Sequence, residues 1–527
     1  MTDPTAPDPL ARPRTGAQFE LARWRDRFTT STNYGAKVVD LLRRSDVGTW
    51  RFEPDRNHPT RWWIHVTLPS AAAEMFDIHL EVLVLYTELG HLEPRTLEQV
   101  QSRLRHSARL ERGVAVVISR DPKVGQLASR RRGELSIVAI NLDELQTDSR
   151  DVRSRMAAVM STIDHYDLTN PVRDPSGFFG RASESDFLRE SLDRGQSVGI
   201  FGLRKAGKTS LMNAIQEQRS ESGALITKVD VSEVTTADEF RLKLLTRTWE
   251  AVRARLGPHE RMPRLRLVNT DGKARVDGPN IATHWTDDLR MLLDAAGVRL
   301  ELFVDEIDQA YPDRSTLDHV EASALFQTLT QLRGLVQEGT RLVLLCAGVD
   351  PALFERPLFG DRDNLLYKLV RLLWLSPMSR DEMAEMVRGL GKRMAVRARD
   401  YRVIDRLYEE YGGHPLLTRK ACSLAIKGRK PDELPFELSF ERLETAISSS
   451  GFDSPHAQAL DVLRSFEKWF PGEAELLAWL YSADETEREL ARAETTENPD
   501  RLMHAVAYGL CDESYRPRIA AALSRLG

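Results

Sequence analysis

The sequence predicts an α/β protein built on a parallel sheet, and three features predict it. Residues 197–215, SVGIFGLRKAGKTSLMNAI, run an apolar strand pattern into a glycine-rich turn and then into a helix pattern whose Leu211, Met212 and Ile215 share one face. Residues 300–308, LELFVDEID, form a second apolar strand that ends on two adjacent carboxylates, Asp305 and Glu306. Strand-like runs then alternate with helical spacings through most of the chain, as in a sheet covered by helices.

The turn reads Gly202-Leu203-Arg204-Lys205-Ala206-Gly207-Lys208-Thr209, followed by Ser210. This is G-x-x-x-x-G-K-[ST] between a strand and a helix, and each part has a chemical reason. The glycines let backbone N–H groups turn inward around phosphate oxygens. The helix N-terminus adds unpaired donors and the positive end of its dipole. Lys208 brings a charge to the β- and γ-phosphates, and the Thr209 hydroxyl can ligate Mg2+. Open α/β sheets bind ligands at the carboxyl ends of their strands, which is where Asp305 and Glu306 fall. Asp305 would hold Mg2+ directly or through water, and Glu306 is placed to polarise an attacking water. The expected ligands are therefore the phosphates of a nucleotide and Mg2+.

A length of 527 residues suggests three or four domains, and 41% hydrophobic content is enough for ordinary cores. A net charge of −5 excludes a global pull toward nucleic acid or acidic membrane, while local basic faces stay open. The three cysteines, Cys346, Cys422 and Cys511, are scattered, which suits a reducing cytoplasm and offers no metal spacing. The twelve histidines make no ligand pattern. No apolar run approaches eighteen residues and the N-terminus shows no signal-peptide pattern, so the expectation is a cytoplasmic protein without a membrane span.

In chain order, residues 1–16 are rich in Pro, Asp and Thr and read as a disordered tail. Residues 17–150 read as a small α/β domain: helical to about residue 45, then strand-like at 61–66 and 76–86, helical at 95–110, and strand-like at 114–118 and 135–140. Residues 151–177 hold a helix-like stretch and then DLTNPVRDPSG, and read as a linker. Residues 178–378 carry the glycine-rich turn and the later strands, with residues 256–280 as an extended surface insertion. Ser379 and Glu382 have the spacing of a capping box opening a helical lid, 379–450. Residues 451–527 read as helices followed by a short hairpin near Cys511. The third helix there has only Arg501 and His504 as basic groups, with Glu473, Glu475, Asp484, Glu485 and Glu487 nearby, which is a poor footprint for DNA.

Four stretches together resemble AAA+ ATPases and their STAND relatives, which are related to the origin-recognition ATPases. They are Phe178-Phe179-Gly180-Arg181, the glycine-rich turn, Asp305-Glu306, and Gly412-Gly413-His414-Pro415. The resemblance spans residues 178–527. It implies a P-loop NTPase sheet with a helical lid and a C-terminal winged-helix-like domain, the small α/β domain preceding them. It also implies Gly180 and Arg181 beside the adenine and His414 near a phosphate. On the residues alone, His414 equally marks a helix stop and restart. Arg356 and Arg362 would reach a neighbour's nucleotide or lie solvated in their loop. AAA+ proteins end the strand at this place with a polar sensor residue, whereas Cys346-Ala347-Gly348-Val349 has none, which puts rapid hydrolysis in doubt.

The expected function is an ATP-binding molecular switch with slow hydrolysis, coupled to conformational change or oligomerisation. Its partners would be copies of itself or another protein, and many such proteins act in bacterial defence or signalling. The alternatives are a DNA-handling ATPase of the origin-recognition type and an ATP-gated nuclease effector. The last arises because residues 81–85 and 114–145 resemble PD-(D/E)xK, or restriction-endonuclease-like, domains. Asp77, Glu81 and Glu88 would be the metal carboxylates, but Leu83 stands where the lysine belongs. A nuclease-like fold used for binding, an unrelated α/β interaction domain and an active nuclease are the three readings of that region.

Overall fold

A computed structural model describes residues 15–129, 135–146, 150–167, 171–172, 177–257, 259–275, 280–311, 317–337, 341–359, 362–451 and 454–523. The tail expected at 1–16 lies outside them except for Thr15 and Gly16, which open the first helix, Thr15–Ser31. The chain divides into two compact units. One comprises Met1–Thr169, Ala384–Arg406 and Thr418–Ser449, and the other Asn170–Met383, Leu407–Leu417 and Ser450–Gly527. The segment 379–450, expected as one lid, is thus shared between them.

The first unit holds a five-stranded sheet in sequential order: β1 (Gly48–Pro54), β2 (Arg61–Thr67), β3 (Glu81–Thr87), β4 (Leu110–Ser119) and β5 (Ser136–Asn141). The first three strands run antiparallel and the last two follow β3 in parallel. β3 is buried along its whole length, as a strand covered on both faces must be. The helix Pro94–Arg105 crosses from β3 to β4 and sets Leu97, Val100 and Leu104 in one core with Trp63, Leu85 and Val117. Phe28 of the first helix packs on Trp62 and Tyr86, with ring centroids 5.3 and 4.9 Å away. The run 76–86 differs from expectation. The helix Ser70–Phe76 ends on Asp77 in a left-handed conformation, and the strand starts only at Glu81.

The stretch expected as a linker is folded into this unit up to Tyr166. The helix Val152–Met160 buries Met156 and Met160, and the Tyr166 hydroxyl donates to the Val387 carbonyl at 2.7 Å. Two buried arginines satisfy carbonyls at the end of that helix and beyond it. Arg419 donates to His165 and Tyr166 at 2.6 and 3.2 Å, and Arg429 donates to Met160 at 3.0 Å.

The second unit is built on five parallel strands: β6 (Val198–Phe201), β7 (Leu225–Asp230), β8 (Leu300–Asp305), β9 (Leu342–Gly348) and β10 (Arg371–Trp374). Their spatial order is β10-β6-β9-β8-β7, with every neighbouring pair parallel. β6 is flanked by strands that come much later in the sequence, so the chain leaves β6 at a switch point of the sheet. Leu188 and Leu192 of the helix Ala182–Asp193, and Leu211 and Ile215 of the helix Lys208–Glu221, bury Ile200 and Leu345. Part of the expected surface insertion is packed instead. Leu265, Leu267 and Val268 are buried, and the Asp288 carboxylate accepts the N–H groups of Arg266 and Leu267 at 2.9 and 2.7 Å.

The C-terminal helices are Pro455–Trp469, Pro471–Leu480, Glu485–Glu497 and Met503–Ala507. Where a hairpin wing was expected there is a single antiparallel bridge, Cys511 to Pro517. His504 does not face outward as a basic group would. Its Nδ1 meets Glu473 at 2.5 Å, its Nε2 meets Glu355 at 3.1 Å, and its ring stacks on Phe470 at 4.2 Å. Burial opposes its charge, but the two carboxylates outweigh burial and push its pKa up to about 9. Stability from this charge is complete below the ordinary histidine pKa of about 6.5 and is lost as pH rises through the folded value. The melting temperature should therefore fall by several degrees between about pH 7 and pH 10. His504→Gln should remove most of that slope, and an equal slope in the variant would show that the ion pairs do not contribute.

Candidate functional site

The loop between β6 and the helix Lys208–Glu221 turns through left-handed positions at Lys205 (φ 63°) and Gly207 (φ 105°). Leu203 and Ala206 are buried and anchor it, while Arg204 and Lys205 are exposed. Lys208 starts the helix and is buried. Its Nζ donates to the Gly202 and Leu203 carbonyls, each at 2.9 Å. Burial lowers its pKa, and Glu306, Asp308 and Asp305 oppose the shift. The carboxylates at and just beyond the end of β8 thus bear on the cation. The Ser210 hydroxyl accepts the Val172 N–H at 3.0 Å.

Asp305 ends β8 and is 2% exposed. Burial raises its pKa, while Lys228 and a hydrogen bond with Thr209 pull it down. Glu306 follows in the left-handed region, φ 53°, which is sparsely populated by residues other than glycine, and its N–H donates to Asp305 Oδ1 at 3.1 Å. Burial raises the Glu306 pKa, and Lys208 works against it. The structure therefore brings Lys208, Thr209, Asp305 and Glu306 together.

Two members escaped the sequence reading. Lys228 on β7 places Nζ 3.9 Å from Asp305 and donates to Asn213 at 2.6 Å. Its signal was a lysine inside an otherwise alternating strand. Asp308, two residues beyond Glu306, is 1% exposed, and burial and then Glu306 push its carboxyl up to about 7. It was visible as the third acid of DEID.

Gly180 and Arg181 both adopt left-handed conformations. The Arg181 N–H donates to Glu382 at 2.7 Å, and its guanidinium donates to Glu184 at 2.9 Å. The capping box is present: Glu382 accepts from the N–H and hydroxyl of Ser379, each at 2.9 Å, and the Ser379 hydroxyl accepts the Glu382 N–H at 3.3 Å. Gly413, φ 83°, brings His414 to the loop. A Cβ there would lie 2.0 Å from the Met378 carbonyl, so only glycine permits this approach.

His414 Nε2 lies 3.2 Å from the Arg204 carbonyl and must carry the proton, leaving Nδ1 as an acceptor. Burial lowers its pKa to about 4. A neutral ring with a bare acceptor suits holding the loop better than binding a phosphate oxygen. Arg356, expected to reach a neighbour or lie solvated, donates to the Tyr311 hydroxyl of its own chain at 3.0 Å.

These residues fit a nucleotide and its metal. Arg181 Nη2, a donor, and His414 Nδ1, an acceptor, are buried without hydrogen-bond partners. Among the described residues no three His, Cys, Asp or Glu side chains gather to hold a metal. Mg2+ carried by phosphates needs fewer protein ligands because it keeps waters and phosphate oxygens. The hydrogen-bonded pair Thr209 and Asp305 is the oxygen set that would hold it.

The carboxylates proposed from the nuclease resemblance do not converge. Glu81 accepts from Arg109 at 2.5 Å and lies 3.0 Å from His65 Nδ1. Glu88 accepts from the N–H and side chain of Asn33 at 2.5 and 2.7 Å. Asp77 pairs with His79 at 3.1 Å. Glu81 and Glu88 stand at opposite ends of β3, roughly 20 Å apart at strand rise.

The fold is that of a P-loop NTPase. No family model matches this chain, and no curated protein does. Three archaeal structures are similar. A Walker-type ATPase of Pyrococcus abyssi shares 16% identity over 68% of this chain and 99% of its own, at a TM-score of 0.46. The ORC2 protein of Aeropyrum pernix, in ADPNP and ADP complexes, shares 15% over 68% and 94%, at 0.39. Cdc6p of Pyrobaculum aerophilum shares 12% over 67% and 98%, at 0.31. These scores are low, and the chemistry of the site rests on its own geometry. Among the described residues, no helix is long and apolar enough to cross a membrane.

Proposed function

We propose that this chain binds ATP with Mg2+ at the loop after β6 and hydrolyses it slowly. The cycle would drive a change of conformation, or assembly with copies of itself or with another protein. One observation carries the reading: Lys208 and Thr209 at a helix N-terminus meet Asp305 and Glu306 at the end of β8. Lys208 would leave the Gly202 and Leu203 carbonyls for the β/γ-phosphates. Arg181 and His414 supply a donor and an acceptor for the rest of the nucleotide. Bound at Thr209 and Asp305, Mg2+ supplies neutralising charge to the phosphates. Slow turnover accords with the lack of a polar side chain on the end of β9, and a role in bacterial defence or signalling accords with the STAND resemblance. The test is mass and nucleotide turnover of the purified chain, with and without ATP·Mg2+ and DNA. Slow turnover with a nucleotide-dependent change in mass or shape is expected. A salt-dependent DNA affinity would instead favour an origin-recognition role. The acid-rich helix Glu485–Glu497 argues against that role.

The β1–β5 unit, in this reading, binds or regulates and does not cut. Its candidate carboxylates are engaged by Arg109, His65, Asn33 and His79, and Leu83, not lysine, stands two positions after Glu81. Plasmid, linear DNA and RNA incubated with the chain in Mg2+ or Mn2+, with or without ATP, should remain intact. Cleavage that disappears in Asp77→Ala or Glu81→Ala would make the chain a nuclease effector.

A further inference from the structure

β9 ends in Gly348, and neither it nor Val349 after it carries a polar side chain, yet a carboxyl lies against that end. It is that of Asp308, from the single turn Ile307–Ala310 after β8. A Cβ on Gly348 would sit 2.3 Å from Asp308 Oδ1, so glycine is what admits the carboxyl. Asp308 Oδ1 accepts the Val349 N–H at 3.2 Å. Glu306 and Lys208, the two residues assigned above to water and phosphate, both bear on Asp308. The carbonyl of the same Val349 accepts the Tyr508 hydroxyl at 2.6 Å. Tyr508 is fully buried at the end of the helix Met503–Ala507, with its ring 5.6 Å from Trp374 on β10 and 5.8 Å from Phe470. Val349 is therefore held by its N–H from the nucleotide site and by its carbonyl from the C-terminal helices.

Resting on the ATP reading above, we propose that Asp308 is a positioning residue, and that the chain Asp308–Val349–Tyr508 couples the nucleotide site to the C-terminal helices. Asp308 acts through the backbone at the end of β9 and touches no nucleotide. Phosphates that draw Lys208 to themselves remove from Asp308 the cation that now bears on it, and the β9 end it holds must readjust. The readjustment reaches Tyr508 through two hydrogen bonds on one residue, a contiguous route of the kind coupling requires.

The test is hydrogen exchange of the backbone amides of residues 503–510 in the full chain, with and without ATP·Mg2+, beside calorimetry of ATP binding. ATP·Mg2+ is expected to change exchange there severalfold in the parent. Tyr508→Phe keeps the ring and removes the hydroxyl. It should bind ATP within about twofold of the parent and lose the response. Asp308→Asn keeps an acceptor for the Val349 N–H but no charge for Lys208 to bear on, so it and Asp308→Ala should both lose the response. A Tyr508→Phe chain that responds like the parent overturns the coupling, as does an Asp308→Asn chain that folds, binds ATP and responds like the parent. ATP binding by the parent with no change at residues 503–510 removes the coupling alone. No ATP binding at all removes the ATP reading and the coupling with it.

Discussion

Lys208→Ala is expected to weaken ATP binding at least about tenfold, or roughly 1.4 kcal/mol. The size follows from where the ammonium sits. It is buried at the start of the helix Lys208–Glu221, held by two carbonyls of its own loop. Without nucleotide, the variant loses those two bonds. With nucleotide, it loses a charge-assisted contact to phosphate, which is stronger than a bond to a neutral carbonyl. Only the difference between the two losses appears in the affinity. The substitution also leaves Asp305, Glu306 and Asp308 without their central cation, which adds repulsion toward an incoming polyphosphate. Calorimetry on a variant with unchanged circular dichroism is the measurement. An unaltered ATP affinity would sink the assignment of the loop.

What could be read from the sequence was what lies close together along it. Strand, loop, Lys208 and the following helix occupy one short stretch, and Asp305-Glu306 is a local pattern at a strand end. The sheet then brings the two stretches side by side, because β6 and β8 both neighbour β9. Contacts between distant residues could not be read that way. Asp308 gains its place from a glycine on another strand. His504, read as a stray basic group on a helix, is fixed by Glu473 and Glu355, 31 and 149 positions away. The 151–177 stretch was read from its Pro, Asp and Gly cluster, which outweighed the buried Met156 and Met160 before it. Glu81 looked like a candidate metal ligand because the sequence shows a carboxylate on a strand but not the Arg109 that neutralises it.

Glu306→Gln should leave ATP bound while turnover falls on the order of a hundredfold, about 2.7 kcal/mol of barrier. The amide keeps the size of the carboxylate and one acceptor oxygen but loses the charge that orients and polarises a water. Binding should survive because the phosphate contacts assigned here belong to the loop and Lys208, and the Mg2+ contacts to Thr209 and Asp305. Removing a negative charge near Lys208 also favours the polyphosphate, so affinity should hold or rise. The left-handed backbone at Glu306 tolerates glutamine no better and no worse than glutamate, so the fold should not change. Burial holds the Glu306 pKa above the ordinary carboxylate value, and its charged form is lost as pH falls through that raised value. The parent's turnover should therefore decline on the acid side of neutrality, while the residual turnover of Glu306→Gln should lack that limb. Single-turnover hydrolysis of ATP across pH measures both. A variant with the parent's rate and profile would show that the water is positioned by another group.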